Sequence, residues 1–191
     1  MDTKNIILQT ALDLFYSKGY DAVGVQEIAT KSGITKPTLY YYFGSKLGLL
    51  DCLLQEHSKP LIHQLEQTCA ADTVQNALLQ TASIFCSFSV SHQKFYRLML
   101  SLMHCAPDNE AYITARPIWV RINELFVGIF QEESHYLGNM NGRQQQFAIG
   151  LIGLLNHYLL FKFETSPDNV ICLTEEELES ILKQFMYGIF S

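Results

Sequence analysis

The sequence predicts an all-α protein of about nine helices, with a three-helix head and a longer helical body. Three observations carry that prediction. Apolar residues recur at helical spacing near both ends of the chain: Ile7, Ala11, Leu14 and Phe15, then Leu178, Ile181, Leu182, Phe185, Met186 and Ile189. Two short helices near the N-terminus are separated only by Ser32-Gly33-Ile34-Thr35, the spacing of a helix-turn-helix. Thr174-Glu175-Glu176-Glu177 has the form of a capping box, with acids at a helix N-terminus.

Taken in order, the first helix spans about Thr3 to Lys18, and Gly19 stops it. The second, about Val25 to Lys31, buries Val25, Ile28 and Ala29. Gly33 makes the turn, and Thr35 caps a third helix whose first turn tolerates Pro37. Leu39 and Phe43 face inward, leaving Lys36, Pro37, Thr38, Tyr40, Tyr41 and Tyr42 for solvent, packing or a partner. Gly44-Ser45 ends this helix and caps a fourth, running to about Thr68. Asp72 caps a fifth over about Thr73 to Val90, and a sixth spans about His92 to Met103. Pro107-Asp108 breaks the chain before a long seventh reaching about Glu133. A Gly/Asn-rich loop at Gly138 to Gly142 precedes an eighth over about Arg143 to Phe163.

The third helix suits a DNA groove. Residues 28 to 50 hold Lys31, Lys36 and Lys46 and no acid, and a row of tyrosines is poorly soluble unless something covers it. Tyrosine and threonine hydroxyls bond phosphate oxygens, where most protein–DNA hydrogen bonds go. The competing reading is a short amphipathic helix with an ordinary surface.

Ala11, Leu14-Phe15, Gly19-Tyr20, Val25, Ile28-Ala29, Gly33-Ile34-Thr35, Pro37-Thr38-Leu39-Tyr40, Phe43 and Ser45-Lys46 together form a pattern. It resembles the DNA-binding head of the tetracycline-repressor (TetR) family of transcription regulators and covers about the first quarter of the chain. Three positions depart from it. Gly24-Val25 stand where the family often has hydroxyl residues, Tyr42 where histidine is common, and Leu47 where an acid commonly follows the lysine. The resemblance implies DNA contacts by Thr35, Lys36, Pro37, Thr38, Tyr40, Tyr41 and Lys46. Thr35 and Lys46 would hold phosphates, Lys36, Pro37 and Thr38 approach base edges, and Tyr40 and Tyr41 brace the backbone. Residues 1–46 are then the head, and residues 47–191 a ligand-binding and dimerisation body.

The net charge of −6 is unevenly placed. Residues 1–50 carry five lysines and four acids, and residues 51–191 carry eight basic residues and fifteen acids. The acidic body repels DNA and helps aim the head at it. No arginine precedes Arg97, so the head lacks the bidentate arginine–guanine contact. The five cysteines have no C-x-x-C spacing and read as reduced, mostly buried small side chains. His57 and His63 are six apart, and His104-Cys105 has no partner signature, so no metal is expected. No cofactor is expected either, and no nucleophile–base, paired-carboxylate or phosphate-loop motif points to an enzyme. With no signal peptide in view, the expected location is the cytoplasm.

The eighth helix is apolar nearly all round. A membrane span is set aside because Asn156-His157 interrupts the run and about 20 apolar residues are needed. Burial between its own core and a second subunit fits better, with Phe147, Leu151, Leu154, Leu178, Leu182 and Phe185 at a two-fold interface of the last two helices. Sixteen of the 23 aromatic residues lie after residue 50. Phe85, Phe88, Tyr96, Met99, Met103, Trp119 and Phe126 are the candidates to line a cavity for a small apolar or amphipathic ligand, the alternative being a filled core. Arg97, Arg116, Arg121, Asn123 and His157 are candidate polar anchors. The expected function is a homodimeric repressor that leaves double-stranded operator DNA when the ligand binds. The other reading is a DNA-bound structural or protein-partner factor without an effector.

Overall fold

The computed structural model describes residues 2–68, 73–132, 142–166 and 173–188. These form nine helices: α1 (Thr3–Lys18), α2 (Val25–Lys31), α3 (Lys36–Phe43), α4 (Lys46–Glu66), α5 (Val74–Ser91), α6 (Gln93–Met103), α7 (Glu110–Glu132), α8 (Gln144–Thr165) and α9 (Glu175–Tyr187). The all-α expectation holds, with no strand among the described residues. The expected cap at Asp72, the loop from Gly138 to Asn141, Ile189, Cys69 and Cys172 lie outside them.

Two compact units divide the chain, one of Met1–Pro60 with His92–Trp119, the other of Leu61–Ser91 with Val120–Ser191. The division therefore does not fall at residue 46. Apolar faces explain this: α1 packs on α6 as well as on α2, so a head cut at residue 46 would lose a covering helix. In the first unit α1 buries Ile7, Leu8, Ala11, Leu12, Leu14 and Phe15. Ion pairs Lys94–Asp13 (2.5 Å) and Lys4–Glu56 (3.2 Å) lie at its margins. Gly33 takes φ +68° in the turn after α2, which the Ile34 amide closes by donating to the Ala29 carbonyl at 3.0 Å.

In the second unit α5 packs on α8 and α9. Phe130, Phe147 and Phe185 form a ring cluster with centroids 6.0–6.4 Å apart, and Phe85 meets Phe126 edge-on at 5.7 Å. The capping box at α9 is complete. The Glu177 amide donates to Thr174 Oγ1 and the Thr174 amide to Glu177 Oε2, each at 3.2 Å. Lys162 of α8 donates to Glu177 Oε1 at 2.5 Å, and this bond foremost holds the carboxyl below the usual glutamate range.

α8 has two faces. Ala148, Leu151, Leu155, Leu159 and Phe163 are buried, while Ile149, Gly150, Gly153, His157 and Phe161 are exposed. At 22 residues, with mean hydropathy 1.2, it is long and apolar enough to cross a membrane by length and composition alone. The sequence argument from length therefore fails. The polar Asn156-His157 interruption remains, and a buried stripe packed on α5 gives α8 a place in a helical core.

Two stability outcomes follow. Thr174→Ala removes one half of the capping box and should cost about 1 kcal/mol in thermal or urea unfolding. Glu177 has a depressed folded pKa, so its contribution is fully present above the ordinary glutamate range and disappears as pH falls through the folded value. The gap between wild type and Glu177→Gln should close over that acid window. At Gly48 an added Cβ would sit 2.1 Å from the Phe43 carbonyl oxygen, whereas at Gly128 it would meet nothing within 4 Å. Gly48→Ala should destabilise by about 1–3 kcal/mol, while Gly128→Ala in the interior of α7 should stabilise by up to about 1 kcal/mol.

Candidate nucleic-acid interface

The outer face of α3 is built by one buried residue and a cap. Leu39 is wholly buried and fixes the helix's rotation. Thr35 stands in extended conformation at the N-cap, its Oγ1 accepting from the Thr38 amide at 3.3 Å and lying 2.9 Å from Thr38 Oγ1. Thr35, Lys36, Pro37, Tyr40 and Tyr41 are exposed and Thr38 is half-buried, so six of the seven expected DNA contacts lie at or near the surface of one helix and its cap. Tyr41 is 84% exposed, far beyond what a core role allows. Tyr42, 40% exposed, packs its ring edge-on to Tyr41 at 5.5 Å.

Charge around this face is arranged by pairing. Glu27 of α2 accepts from Lys18 at 2.6 Å and lies 3.8 Å from Lys31, and the Lys18 bond foremost lowers its pKa. Lys31 is thus partly committed within the head, while Lys36 stands exposed at the start of α3. Backbone amides at the N-termini of α3 and α4 add partial positive charge. One of them, at Gly48, is already taken by Ser45 Oγ at 2.8 Å. The face offers hydroxyls, a lysine and apolar surface to a polyanion, the inventory expected for phosphate positioning with groove contacts.

Lys46, the seventh expected contact, is placed differently. Its Nζ lies 4.1 Å from the centroid of the Tyr20 ring, and burial lowers its pKa. Asp21 and Glu110 act against that shift, so two acids are close enough to be felt. Sequence reasoning missed this environment because Glu110 is 90 residues from Tyr20, and no local pattern links them.

The expected ligand residues do not share one unit. Phe85, Phe88 and Phe126 are buried in the second, whereas Tyr96 and Met99 are buried in the first. Trp119, also in the first, is half-buried, its Nε1 buried without a hydrogen-bond partner. Met103 is 39% exposed, which corrects its assignment as lining: it shares a face of α6 with the buried Tyr96 and Met99 but is the last residue of the helix, where the covering ends. A groove of about 450 Å³ in the second unit is lined instead by residues such as Leu79, Ser83, Cys86, Val90 and Leu178. Burial pushes the Cys86 thiol up to about 12, which makes it inert. Of the candidate anchors, Arg121 is paired with Glu66 at 2.7 Å, Arg116 and His157 are exposed, and Arg97 and Asn123 are half-buried.

The expected dimer residues also separate. Leu151, Leu178 and Leu182 are buried inside the chain's own second unit, which corrects their assignment to an interface. A helix crossing its own core spends its most regular apolar stripe there. Phe147, Leu154 and Phe185 are half-buried. The outward stripe of Ile149, Gly153, His157 and Phe161 is legible in the sequence as a four-residue spacing, but the leucines beside it are more apolar and mask it.

The sequence profile described as "Bacterial regulatory proteins, tetR family" matches residues 7–53, which spans α1 to α3 and the first part of α4. The HTH-type transcriptional activator FasR of Mycolicibacterium smegmatis is 29% identical over 153 residues, 78% of this chain and 66% of FasR's own length. The TetR family transcriptional regulator PfmR from Thermus thermophilus superposes with a TM-score of 0.76 at 20% identity, covering 97% of this chain and 99% of that one. The transcriptional regulator FadR from Bacillus subtilis, in complex with stearoyl-CoA, gives 0.75 at 19% identity, covering 97% and 98%. At those identities the structural likenesses speak for the fold alone, and the profile match speaks for the head, residues 7–53. The helix-turn-helix of this chain is thus matched from end to end by the model of the tetR family of bacterial regulatory proteins, over residues 7–53, and its nine-helix fold is the one seen in TetR-family structures.

Proposed function

We propose that the chain is a cytoplasmic, homodimeric transcriptional regulator that binds double-stranded operator DNA through α3. It acts as a repressor, released when a small, largely apolar ligand enters the helical body. One observation carries this reading: α3 keeps Leu39 in the core and holds Thr35, Lys36, Pro37, Tyr40 and Tyr41 out of it. A helix with one buried anchor and this exposed inventory is costly in water and suited to a groove. The exposed α8 stripe supports the dimer, since Ile149 and Phe161 are 56% and 59% exposed on a helix otherwise built for burial. Gly153 lies on that face with open space beside it, which lets a second helix approach closely. Phe85, Phe88 and Phe126 are the proposed ligand-side residues, because they share one unit. Stearoyl-CoA is the first ligand to test, because it occupies the FadR structure that shares this fold.

Selection from a random-sequence duplex pool should recover a two-fold repeated site with half-sites about one helical turn apart. Lys36→Ala should weaken binding to selected and random DNA alike and reduce the salt slope by about one unit. Combining it with Tyr40→Ala and Tyr41→Ala should abolish operator binding at moderate salt. Undiminished affinity in that triple variant would overturn the assignment. Adding stearoyl-CoA should weaken operator binding about 5–150-fold and alter Trp119 fluorescence; if neither changes, this ligand class is rejected.

The dimer has its own test. Ile149→Asp with Phe161→Asp should give folded monomers by sedimentation, with cooperative melting retained. Leu151→Asp should unfold the second unit instead, because Leu151 is fully buried there. A fully dimeric Ile149→Asp/Phe161→Asp protein would exclude the α8 face.

A further inference from the structure

We propose that Thr81 anchors the ligand of the helical body by a hydrogen bond to an uncharged acceptor, the carbonyl of an acyl thioester. This rests on the ligand reading above and names the polar contact of that same site. Among the described residues, three buried side-chain polar atoms have no hydrogen-bond partner: Ser32 Oγ, Thr81 Oγ1 and Trp119 Nε1. Of these only Thr81 belongs to the second unit, with Phe85, Phe88 and Phe126. It is 1% exposed, so bulk water does not reach it. Phe85 and Phe88 follow it on α5 by four and seven residues, which puts all three on one side of the helix. Phe85 in turn meets Phe126 edge-on, so the Thr81 hydroxyl is a single polar point on an aromatic side of the helix.

A helical threonine or serine ordinarily turns its hydroxyl back to the carbonyl three or four residues earlier. Ser89 does so on the same helix: it is wholly buried, and its Oγ donates to the Phe85 carbonyl at 2.7 Å. Thr81 makes no such bond to Leu78 or Ala77. A buried hydroxyl left in this state has lost its hydration and gained nothing in return, which is why most buried polar side chains are paired. Its position beside the rings proposed to meet the ligand is explained if the ligand supplies the partner. The chemistry of that partner follows from what else is buried. In the second unit Thr81 and Ser89 are the only buried hydroxyl, amide or charged side chains among the described residues. No buried cation offsets a carboxylate or phosphate there, so an ionised group brought to Thr81 would keep its full desolvation cost. A thioester carbonyl accepts a hydrogen bond and carries no charge. It also joins an apolar chain to a charged carrier, so the chain can lie against the rings while the carrier stays in water.

The experiment pairs two proteins with two ligands on the full chain. Wild type and Thr81→Val are each titrated calorimetrically with stearoyl-CoA and with S-octadecyl-CoA, the thioether that keeps chain and carrier but lacks the carbonyl. Wild type should bind the thioester about 2–10-fold more tightly than the thioether, the ratio expected of one neutral hydrogen bond. Thr81→Val keeps the branched shape and loses the hydroxyl, and should bind the two alike. Thr81→Ser should restore the preference. Without ligand, Thr81→Val should raise the melting temperature by about 2–4 °C, because it removes an unsatisfied polar group with little change of shape. Equal binding of the two ligands by wild type would overturn the proposal, as would a preference that survives in Thr81→Val. A lower melting temperature in that variant would mean that the hydroxyl has a structural partner in the free protein, and would overturn it as well. Tighter binding of free stearate than of stearoyl-CoA by wild type would sink the uncharged acceptor. If wild type binds neither thioester nor thioether, the acyl-CoA reading itself falls; if it binds both alike, only the role of Thr81 does.

Discussion

The complete burial of Leu39 is the constraint on which the rest of the head depends. α3 has only eight residues and little helical stability of its own, so its position is set by tertiary packing. One fully buried side chain fixes rotation about the helix axis. Once Leu39 points inward beside Ile28 and Ala29, which are equally buried on α2, the residues at 37, 40 and 41 turn outward, while Lys36 is exposed as the first residue of the helix. The exposure of Tyr41 is therefore a consequence of packing elsewhere. The Thr35 cap and the turn at Gly33 then hold the N-terminal end at a fixed place relative to α2.

A similar division governs the second unit. α8 is apolar on every side, and hydrophobicity alone does not say which side faces its own chain. Packing against α5 and the ring cluster of Phe130, Phe147 and Phe185 chooses the stripe containing Leu151 and Leu155. What remains outside is smaller and less regular: two glycines, a histidine and two large apolar residues. Such a face is ill suited to water and well suited to a close helix–helix contact. The Lys162–Glu177 bond and the capping box ahead of it fix the start of α9 beside α8.

The same economy appears at Tyr20, where an ordinary core aromatic carries a polar handle used by α7 and a face used by Lys46. The acidic excess of residues 51–191 fits the proposed DNA-binding role, in which a body that repels DNA would leave binding to the head.

The sequence by itself determined the all-α class, the bounds of α1, α2 and α3, the turn at Gly33, the caps at Thr35 and Thr174, and the outward residues of α3. These are local properties, set by periodicity of about 3.6 residues, backbone freedom at glycine and capping chemistry within four residues. Only the tertiary structure decided what depends on contacts between distant segments. It drew α6 and the first part of α7 into the unit with α1, it chose which stripe of α8 is buried, and it divided the aromatic candidates between two units. It also turned Lys46 onto Tyr20 beside Glu110. Hydrophobic burial is non-directional, so a residue's tendency to be buried is legible from its type, while the partner that buries it is chosen only when the chain folds back on itself.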